Sequence, residues 1–576
     1  MTFDQLTKNL KKDFSKLRKV KIALLGDSST QFLAQAIKGW GFELGINFEV
    51  FEADYNQIER QILVESELYQ FKPEFVIVFF STERLLEKFY RSSKSEKVSF
   101  AEKQIAEISH LYQTINATMA SKIIFFNFIE INDAIYGNYA NKTQLSFVYQ
   151  IRKLNFELMN LSRNCASLFV HDIASLHNTY GSIFCHDPKT YINADVVFSL
   201  DFLPIVARNL SDIIQALSGS FKKCLILDLD NTLWGGIIGD DGMENIQIGD
   251  LGIGKAFTEF QLWMKELKHR GIILTICSSN SEETAKEPFE KHPDMVLRLE
   301  DIAVFVANWN NKVENIRHIQ SILKIGFDSM VFVDDNPFER NLVKAHIPEI
   351  TIPELPEDPA EYLGYLRSLN LFETSSHTDE DEQRTKQYRE EGRRAFVQKE
   401  FTNEDEFLSN LAMVSLVKPF DAFTIPRVAQ LTQRSNQFNL RTMRYTDSEI
   451  HAISESKDYF TCSFTLEDKY GDYGLINVII LRKQQPDLFI DTWIMSCRVL
   501  QRGMERFVLN QIVSLALQNG YKELIGEYIP TPKNGMVQGH YKNLGFTRLE
   551  GDKELFRLNT EQYSNHKTFI TSKQRG

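Results

Sequence analysis

Two aspartates at the end of a short apolar segment constrain the fold of this chain more than any other feature. The segment Cys224–Leu227 reads as a buried strand, and Asp228-Leu229-Asp230-Asn231-Thr232 follows it directly. The carboxyl ends of parallel strands gather ligands at one edge of a sheet. There Asp228 can attack phosphorus and form an aspartyl phosphate, while Asp230 can protonate the leaving oxygen and later activate water. The motif therefore predicts an α/β domain that carries out phosphate chemistry.

Three later apolar segments also end in polar residues that suit this centre. They are Ile272–Cys277 followed by Ser278, Ala303–Val306 with Lys312 beyond it, and Met330–Val333 followed by Asp334 and Asp335. The density of carboxylates calls for a hard cation, and Mg²⁺ with oxygen ligands suits it. The expected phosphate-binding residues are Thr232, Ser278, Ser279 and Lys312. The expected Mg²⁺ ligands are Asp228, Asp230, Asp334 and Asp335.

Four segments carry a resemblance to a known superfamily. DLDNTLWGGIIGDDG, ICSSN, NWNNK and FVDDNPFER are similar to the motifs of haloacid-dehalogenase phosphatases, and more narrowly to the IIIC-type domain of FkbH-like proteins. Ser279 stands where that subfamily usually has Lys. The stretches between the motifs are too short for a cap domain, which needs enough residues to bury its own core. We therefore expect an open site, which suits a large substrate or is covered by neighbouring domains.

The front third of the chain contains a second motif. Gly26-Asp27-Ser28-Ser29-Thr30 follows the predicted strand Lys21–Leu25 and resembles the nucleophile block of SGNH esterases. The resemblance implies Ser28 as a nucleophile and Asn127 as an oxyanion contact. A triad also needs a histidine base, and the DxxH motif that supplies it in this family is missing. We expect a degenerate domain in which Ser28 or Ser29 begins a helix.

The rear of the chain combines a strand, a glycine turn and a helix. DTWIMSCRVLQR at 491–502 precedes the predicted helix Met504–Gln518, and a helix amino terminus after such a turn binds anions. With HYKNLGF at 540–546, this segment resembles the GNAT acetyltransferase fold. At the family's pyrophosphate-binding positions the chain has Leu500, Gly503 and Glu505. The carboxylate of Glu505 would face a pyrophosphate, which disfavours ordinary use of acetyl-coenzyme A.

The resemblance to FkbH-like proteins extends from about Lys21 to Leu558. It includes TQRSNQFNLRTMRYT at 432–446, GDYGLI at 471–476 and MSCRVLQRGME at 495–505. The family implies acyl transfer coupled to phosphate removal. The glyceryl unit of 1,3-bisphosphoglycerate loses its phosphate and passes through an enzyme thioester to an acyl carrier protein.

The resemblance also implies a reactive thiol, for which Cys497 is our candidate. Arg498 beside it and the helix amino terminus downstream both favour the thiolate. We expect His540 to act as a base. The phosphatase centre and the thiol would act in sequence.

We predict a multidomain α/β fold: an SGNH/flavodoxin-like parallel sheet, a capless Rossmann-like phosphatase domain and an α+β acetyltransferase-like domain. The predicted segments are 1–218, SGNH-like; 219–355, phosphatase; 356–405, charged connector; 406–562, acetyltransferase-like; and 563–576, tail. The connector contains DEDEQRTKQYREEGRRAF, a run typical of a solvated helix.

Composition excludes several function classes. The chain has 576 residues, with 65 Lys and Arg against 77 Asp and Glu, so its formal net charge is −12. A general nucleic-acid binder needs a basic footprint instead. Neither a transmembrane stretch of about 18 apolar residues nor a signal-peptide core is visible, so we expect a cytoplasmic protein. The 6 cysteines have neither CxxC nor zinc-site spacing.

Two other functions remain open from the sequence. The chain could be a simple phosphohydrolase that acts on a sugar phosphate or glycan precursor in polysaccharide biosynthesis, with flanking domains for substrate binding. It could also be a non-catalytic scaffold that binds phosphorylated ligands.

Overall fold

A computed structural model describes residues 1–62, 66–398, 401 and 403–573 of the chain. The chain forms two compact units, Met1–Gln215 and Ala216–Gly576. None of the described helices is both long and apolar enough to cross a membrane. The predicted domain bounds, at 1–218, 219–355, 356–405, 406–562 and 563–576, stay predictions.

In the first unit, five described strands form a parallel sheet in the order β2-β1-β3-β4-β5. The strands are β1 Arg18–Gly26, β2 Ile46–Glu52, β3 Phe75–Phe79, β4 Lys122–Phe126 and β5 Leu168–His171. The apolar runs of β1, β3 and β4 are buried almost throughout, as expected for parallel strands that are covered on both faces. The predicted parallel α/β sheet is confirmed.

Helices occupy the connections of this sheet. They are α1 Phe3–Asn9, α2 Gln31–Glu43, α3 Ile58–Ile62, α4 Glu67–Phe71, α5 Thr82–Arg91, α6 Lys94–Val98, α7 Phe100–Thr118, α8 Phe147–Asn164, α9 Ile173–Tyr180, α10 Ser182–Cys185, α11 Pro188–Ala194 and α12 Leu203–Leu217. Helix α2 begins after Thr30, whose side chain makes no capping bond to the helix backbone. The predicted cap at Ser28 or Ser29 is therefore wrong by one or two residues.

The second unit begins with four described parallel strands in the order β8-β7-β6-β9. The strands are β6 Cys224–Leu227, β7 Ile273–Ser278, β8 Ile302–Ala307 and β9 Met330–Val333. The helices that follow them are α13 Ile238–Asp241, α14 Gly254–His269, α15 Glu282–Lys291, α16 Lys312–Leu323, α17 Pro337–His346 and α18 Tyr362–Ser368. The chain reverses its direction of winding between β6 and β9, and open α/β sheets bind ligands at such a switch point.

The charged connector is helical, but the expectation that it is solvated is wrong. It forms α19 Asp379–Glu382 and α20 Arg384–Gln398, and α20 packs against β8, β7 and α16 as well as the rear sheet. Arg394 is only 1% exposed because its guanidinium binds both oxygens of Asp468 at 2.9 Å. Glu391 is likewise buried and pairs with Arg502. Charged residues of this run thus form buried ion pairs rather than a solvated surface.

The rest of the chain forms a mixed sheet of eight described strands, in the order β15-β16-β14-β13-β12-β11-β10-β17. The strands are β10 Met413–Lys418, β11 Tyr459–Asp468, β12 Gly471–Gln484, β13 Asp487–Met495, β14 Glu523–Glu527, β15 Thr547–Arg548, β16 Leu555–Asn559 and β17 Ile570–Lys573. The helices are α21 Glu404–Asn410, α22 Ile425–Arg434, α23 Asp447–Glu455, α24 Met504–Gln518 and α25 His540–Asn543. Strands β10 to β13 are antiparallel.

Short 3₁₀ turns complete the described elements. They are Gly137–Lys142, Leu299–Asp301, Phe327–Ser329, Pro359–Glu361, Cys497–Val499 and Gly535–Val537. Two parallel sheets with helical connections, followed by a mixed sheet with its own helices, confirm the predicted multidomain α/β architecture.

Candidate active site

The register of the four-stranded sheet brings the predicted phosphate-chemistry residues to one edge. Leu227 at the end of β6 pairs with Ile276 in β7 and with Val333 in β9. Asp228 and Asp334 follow directly and are therefore level, and the backbone N–H of Asp228 donates to the carbonyl of Val333 at 3.0 Å. The shared strand ends place the polar groups at the carboxyl edge of the sheet.

Lys312 lies between two of these aspartates. Its Nζ is 3.0 Å from Oδ1 of Asp228 and 2.5 Å from Oδ2 of Asp334. The residue occupies the first turn of α16, where Asn311 caps the helix by accepting from the backbone N–H of Glu314 at 2.9 Å. The cap fixes the start of the helix, and the helix in turn holds the buried ammonium between the carboxylates.

The buried charges shift one another's protonation. Burial raises the pKa of Asp228 to about 6, against the opposing attraction of Lys312, and Asp334 raises it further. Burial also raises the pKa of Asp334 and of Asp335. Burial alone would lower the pKa of Lys312, but Asp228 and Asp334 raise it above its ordinary value. Lys312 therefore stays cationic, and the carboxylates retain an excess of negative charge.

Asp230 is held by three hydrogen-bond donors. Its Oδ1 accepts from Nε1 of Trp234 and from the backbone N–H of Ile238, both at 3.0 Å. Its Oδ2 accepts from Nδ2 of Asn280 at 2.8 Å. Three donors fix the carboxylate in one orientation, as a group that transfers protons at a defined position requires.

Three carboxylates of the described residues are close enough to share one metal ion. Oxygens of Asp228, Asp334 and Asp335 lie within 4.8 Å of one another. With Lys312 they carry a formal charge of −2, and oxygen ligands suit Mg²⁺. The carboxylate of Asp230 is not in this group, and its oxygens accept the hydrogen bonds just described. The predicted role of Asp230 as a fourth ligand stays a prediction.

Thr232 connects the two loops of the centre. Its hydroxyl is buried, donates to Oδ1 of Asp335 at 3.3 Å and accepts from the backbone N–H of Asp335 at 3.2 Å. Arg340 supports the same loop, since its Nη1 donates to the carbonyls of Asp334 and Asp335 at 2.8 and 2.6 Å. In this structure Thr232 positions a carboxylate; its predicted contact with phosphate stays a prediction.

The residues at and just after the end of β7 differ in exposure. Ser278 is buried, and its Oγ accepts from Nδ2 of Asn280 at 3.2 Å. Ser279 is exposed. Sequence reasoning missed Asn280, which contacts both Ser278 and Asp230. The signal was its place in the same ICSSN motif, two residues beyond the predicted phosphate ligand.

Exposed apolar side chains belong to the loops and to the helix start that follow this edge. Trp309 is 78% exposed, Phe338 is 69% exposed and Ile237 is 44% exposed. Trp309 lies between β8 and Lys312, and Phe338 follows Asp335 by three residues. The mouth of the site therefore presents apolar surface beside its charged floor.

The front motif has few of the contacts that an esterase needs. Oγ of Ser28 is buried and has no hydrogen-bond partner among the described residues. Asn127 donates its amide to Oδ1 of Asp172 at 2.7 Å and accepts from the backbone N–H of Ala174 at 3.0 Å. The amide of Asn127 thus stabilises the start of α9 in this structure. The degenerate character of the front domain stays a prediction.

The rear site has a groove of about 880 Å³ whose lining includes Leu500, Gly503, Glu505 and His540. Gly503 adopts a φ of 74°, which favours glycine, and α24 begins directly after it. Burial raises the pKa of Glu505. The residues that sequence comparison aligned with a pyrophosphate loop therefore lie at one surface, with an acid where a small residue was expected.

The rear site contains the two residues predicted to carry out acyl transfer, His540 and Cys497. The imidazole of His540 is buried against Trp493, with ring centres 4.5 Å apart, and burial lowers its pKa to about 3. Such a neutral, weakly basic ring is a poor proton acceptor. The side chain of Cys497 lies outside the described residues, although its backbone begins a 3₁₀ turn. The roles of both residues stay predictions.

The comparisons with known proteins agree with this site. A family model described as FkbH, N-terminal domain, matches residues 21–215. A crystal structure of the N-terminal part of the protein BF1531 from Bacteroides fragilis, containing a phosphatase domain complexed with Mg, is 54% identical with a TM-score of 0.63. The match covers 65% of this chain and 100% of that chain. No curated protein sequence matches.

Two acetyltransferase structures match a smaller part. The ribosomal-protein-S18-alanine N-acetyltransferase from Escherichia coli is 12% identical, with 25% of this chain and 90% of that chain covered and a TM-score of 0.20. Spermidine N-acetyltransferase from Vibrio cholerae, in complex with CoA and spermine, is 11% identical, with 26% and 96% covered and a TM-score of 0.21. The family assignment depends on the much stronger Bacteroides match: this chain belongs to the FkbH-like proteins that contain a phosphatase domain.

Proposed function

We propose that the chain is a Mg²⁺-dependent phosphatase of the haloacid-dehalogenase type, with Asp228 as nucleophile and Asp230 as general acid and base. The observation that carries this proposal is the contact of Lys312 with Asp228 and Asp334, next to an Asp230 held by three donors. This arrangement separates the roles of the two aspartates. One is paired with a cation on the floor of the site, and the other is fixed by hydrogen bonds.

The proposed reaction has two steps at phosphorus. A carboxylate oxygen of Asp228 forms a bond to phosphorus while the bond to the leaving oxygen breaks, and protonated Asp230 gives that oxygen its proton. Asp230, now a carboxylate, then takes a proton from water as the water oxygen attacks the aspartyl phosphate. The bond between phosphorus and Asp228 breaks, which releases inorganic phosphate and restores the enzyme.

The residues present fit a magnesium ion. Asp228, Asp334 and Asp335 would hold it, because their oxygens lie within 4.8 Å of one another and their charge exceeds that of Lys312. When bound, Mg²⁺ would neutralise negative charge on the phosphoryl group. Lys312 balances part of the same charge through its contacts with Asp228 and Asp334.

The apolar mouth supports a substrate larger than a free sugar phosphate. Trp309 is 78% exposed at a loop of the site's edge, and burying such a ring would stabilise the complex with a macromolecule that carries the phosphate. We propose a phosphorylated acyl unit, free or attached to a carrier protein, as the substrate class.

Phosphate release tests the phosphatase proposal. With Mg²⁺ present, the wild-type chain should release inorganic phosphate from 3-phosphoglycerate or its carrier-bound thioester, and a chelator should abolish the release. Asp228→Asn should abolish it too, whereas Asp240→Asn, a substitution at an exposed aspartate, should not. Activity that survives Asp228→Asn would overturn the assignment of the nucleophile.

We further propose that the rear site transfers the acyl unit through Cys497. The thiolate would attack the carbonyl of an acyl phosphate, forming a thioester as the bond to phosphate breaks. The thiol of a carrier protein, after loss of its proton, would then take the acyl group and release the Cys497 thiolate. Ser496 and Arg498, the two neighbours of Cys497, line one cavity. The groove at Leu500 and Gly503 lies further along the same segment. Two openings near Cys497 support the proposal that a donor and an acceptor each reach this segment.

Intact-protein mass spectrometry tests the transfer. Incubation with 1,3-bisphosphoglycerate should add a glyceryl or phosphoglyceryl mass to the enzyme and then to a carrier protein. Cys497→Ser should prevent formation of the thioester, while the matched Cys462→Ser should not. Phosphate release from sugar phosphates without any adduct would instead favour a simple phosphohydrolase.

A further inference from the structure

A basic cavity of about 460 Å³ lies within the second unit, away from the aspartates. One wall comes from residues that precede the strands of the four-stranded sheet, including Lys223 before β6 and Asp328 before β9. The opposite wall comes from α22, the segment after it, and the residues around Ser496. The cavity is large enough for a small molecule.

The cavity lies at the opposite edge of the sheet from the phosphatase centre. Lys223 precedes β6 and Asp228 follows it, so the two residues are about 16 Å apart along an extended strand. A single small ligand cannot contact both sites. A small molecule bound in the cavity would therefore be separate from the group bound at the phosphatase centre.

Positive charge dominates the walls. The cationic side chains are those of Lys223, Arg384, Arg427, Arg434, Arg498 and Lys533. Against them stand Asp328 and Glu349 in the lining, and Glu380 and Asp381, which pair with arginines behind it. Six cations against four acids leave two positive charges in excess.

Asp381 is shared, which leaves the arginines incompletely neutralised. Its Oδ1 is 2.6 Å from Nη1 of Arg434 and 2.6 Å from Nη2 of Arg384. Arg434 is 9% exposed, and its Nε has no hydrogen-bond partner among the described residues. Arg434 itself lines the cavity, and a buried guanidinium normally has its donors satisfied, so this residue has the capacity to bind a further acceptor such as a ligand oxygen.

The electrostatics of the arginines agree with this geometry. Burial, followed by repulsion from Arg384, lowers the pKa of Arg434 to about 9. Burial and repulsion from Arg498 lower the pKa of Arg427 to about 10, against the opposing effect of Glu380. An anion in the cavity would relieve this repulsion.

We propose that this cavity is a second anion site, which binds a small molecule through a phosphate group. Polar side chains beside the arginines, among them Gln430 and Ser496, can bind the hydroxyl or carboxylate oxygens of the same molecule. The ligand class is a phosphorylated short-chain acid, and inorganic phosphate shares the group that the arginines contact.

The location of the site adds a role that rests on the acyl transfer proposed above. Ser496 and Arg498 line the cavity on either side of the backbone of Cys497. A donor anchored there by its phosphate would present its acyl carbon near that segment. Removal of the remaining phosphate would then need the other edge of the sheet, which requires the acyl unit to move between the sites on a carrier.

Isothermal titration calorimetry of the full chain in EDTA tests the site. Without a cation the three aspartates repel anions, so binding of 3-phosphoglycerate under these conditions reports on the basic cavity. Arg434→Gln should weaken binding at least tenfold, and Arg434→Lys should weaken it less. The matched surface variant Arg548→Gln should bind like the wild type.

Inorganic phosphate and glycerate distinguish the ligands. Tighter binding of 3-phosphoglycerate than of either supports a phosphorylated acid, and equal binding of phosphate and 3-phosphoglycerate supports an anion site that contacts the phosphate alone. If Arg434→Gln fails to fold, Lys533→Gln, at a lysine with a side chain 38% exposed, should weaken binding several-fold. No binding in EDTA, or unchanged binding by a folded Arg434→Gln chain, overturns the site. Retained binding without any enzyme adduct overturns only the acyl transfer.

Discussion

Lys312 holds its ammonium 3.0 Å from the proposed nucleophile Asp228 and 2.5 Å from Asp334. All three side chains are almost fully buried, so water cannot take the place of Lys312 as the partner of either carboxylate. The same cation therefore contributes to the folded state and to the charge balance of a phosphoryl group.

Replacement of Lys312 by Met should abolish most of the phosphatase activity. The change removes a preorganised charge from a buried site, and such a loss lowers kcat by about 10²–10³-fold. Phosphate release under saturating Mg²⁺ measures the effect, and circular dichroism checks the fold. Lys291→Met, at an exposed lysine of α15, is the matched control and should keep wild-type activity. A folded Lys312→Met chain with normal kcat would contradict the assigned role.

Asn280 should act as a positioning residue through Asp230. Its Nδ2 donates to Oδ2 of Asp230 at 2.8 Å, so Asn280→Ala frees the proposed acid to rotate. We expect a fall in kcat of about tenfold with little change in KM, the effect of about 1.4 kcal/mol in the barrier. Asn245→Ala, at an exposed asparagine, serves as control. An increase in KM alone would indicate a role in substrate binding instead.

The strands of the phosphatase centre were predictable because their apolar runs have sharp ends. The predicted Cys224–Leu227 and Met330–Val333 match β6 and β9 residue for residue. Strands such as β2 and β14 were missed, since polar residues interrupt INFEVFE in β2 and ELIGE in β14 has only two adjacent apolar residues between its glutamates. Sequence order therefore identified the edge of the sheet where the site lies, but not every strand of the fold.

Contacts between distant segments could not be predicted in this way. The charged run of α20 looks solvated because its partner is far away in sequence: Arg394 binds Asp468, 74 residues later. The hydrogen-bond donors that hold Asp230 could not be predicted either. Its actual partners include the backbone N–H of Ile238, whose direction depends on the folded loop.

The stability of the second unit should depend on the buried ion pairs of α20. Arg394→Ala would leave Asp468 buried without its bidentate partner, and breaking a buried pair costs about 3–5 kcal/mol. Chemical denaturation of the second unit measures the loss. Lys573→Ala removes the exposed partner of the neighbouring Glu467 and should cost about 1 kcal/mol or less. Equal losses in the two variants would contradict the buried network.

His540 should make the second unit less stable in acid. Burial lowers its pKa from 6.5 to about 3, so below pH 6.5 the unfolded chain binds a proton that the folded chain rejects. Its contribution is therefore largest above the unfolded pKa and falls as the pH decreases toward 3. At pH 5 the loss is about 2 kcal/mol relative to neutral pH.

The measurement is a comparison of pH profiles rather than of stabilities at one pH. His540→Leu should gain stability relative to the wild type as the pH falls from 7 to 4, whatever offset the change in packing adds, because leucine binds no proton. Chemical denaturation across this range gives the two curves. His318→Leu, at an exposed histidine of α16, is the matched control for the loss of an imidazole. Parallel curves for His540→Leu and the wild type would show that the imidazole of His540 is protonated in the folded protein, and would restore it as a candidate base.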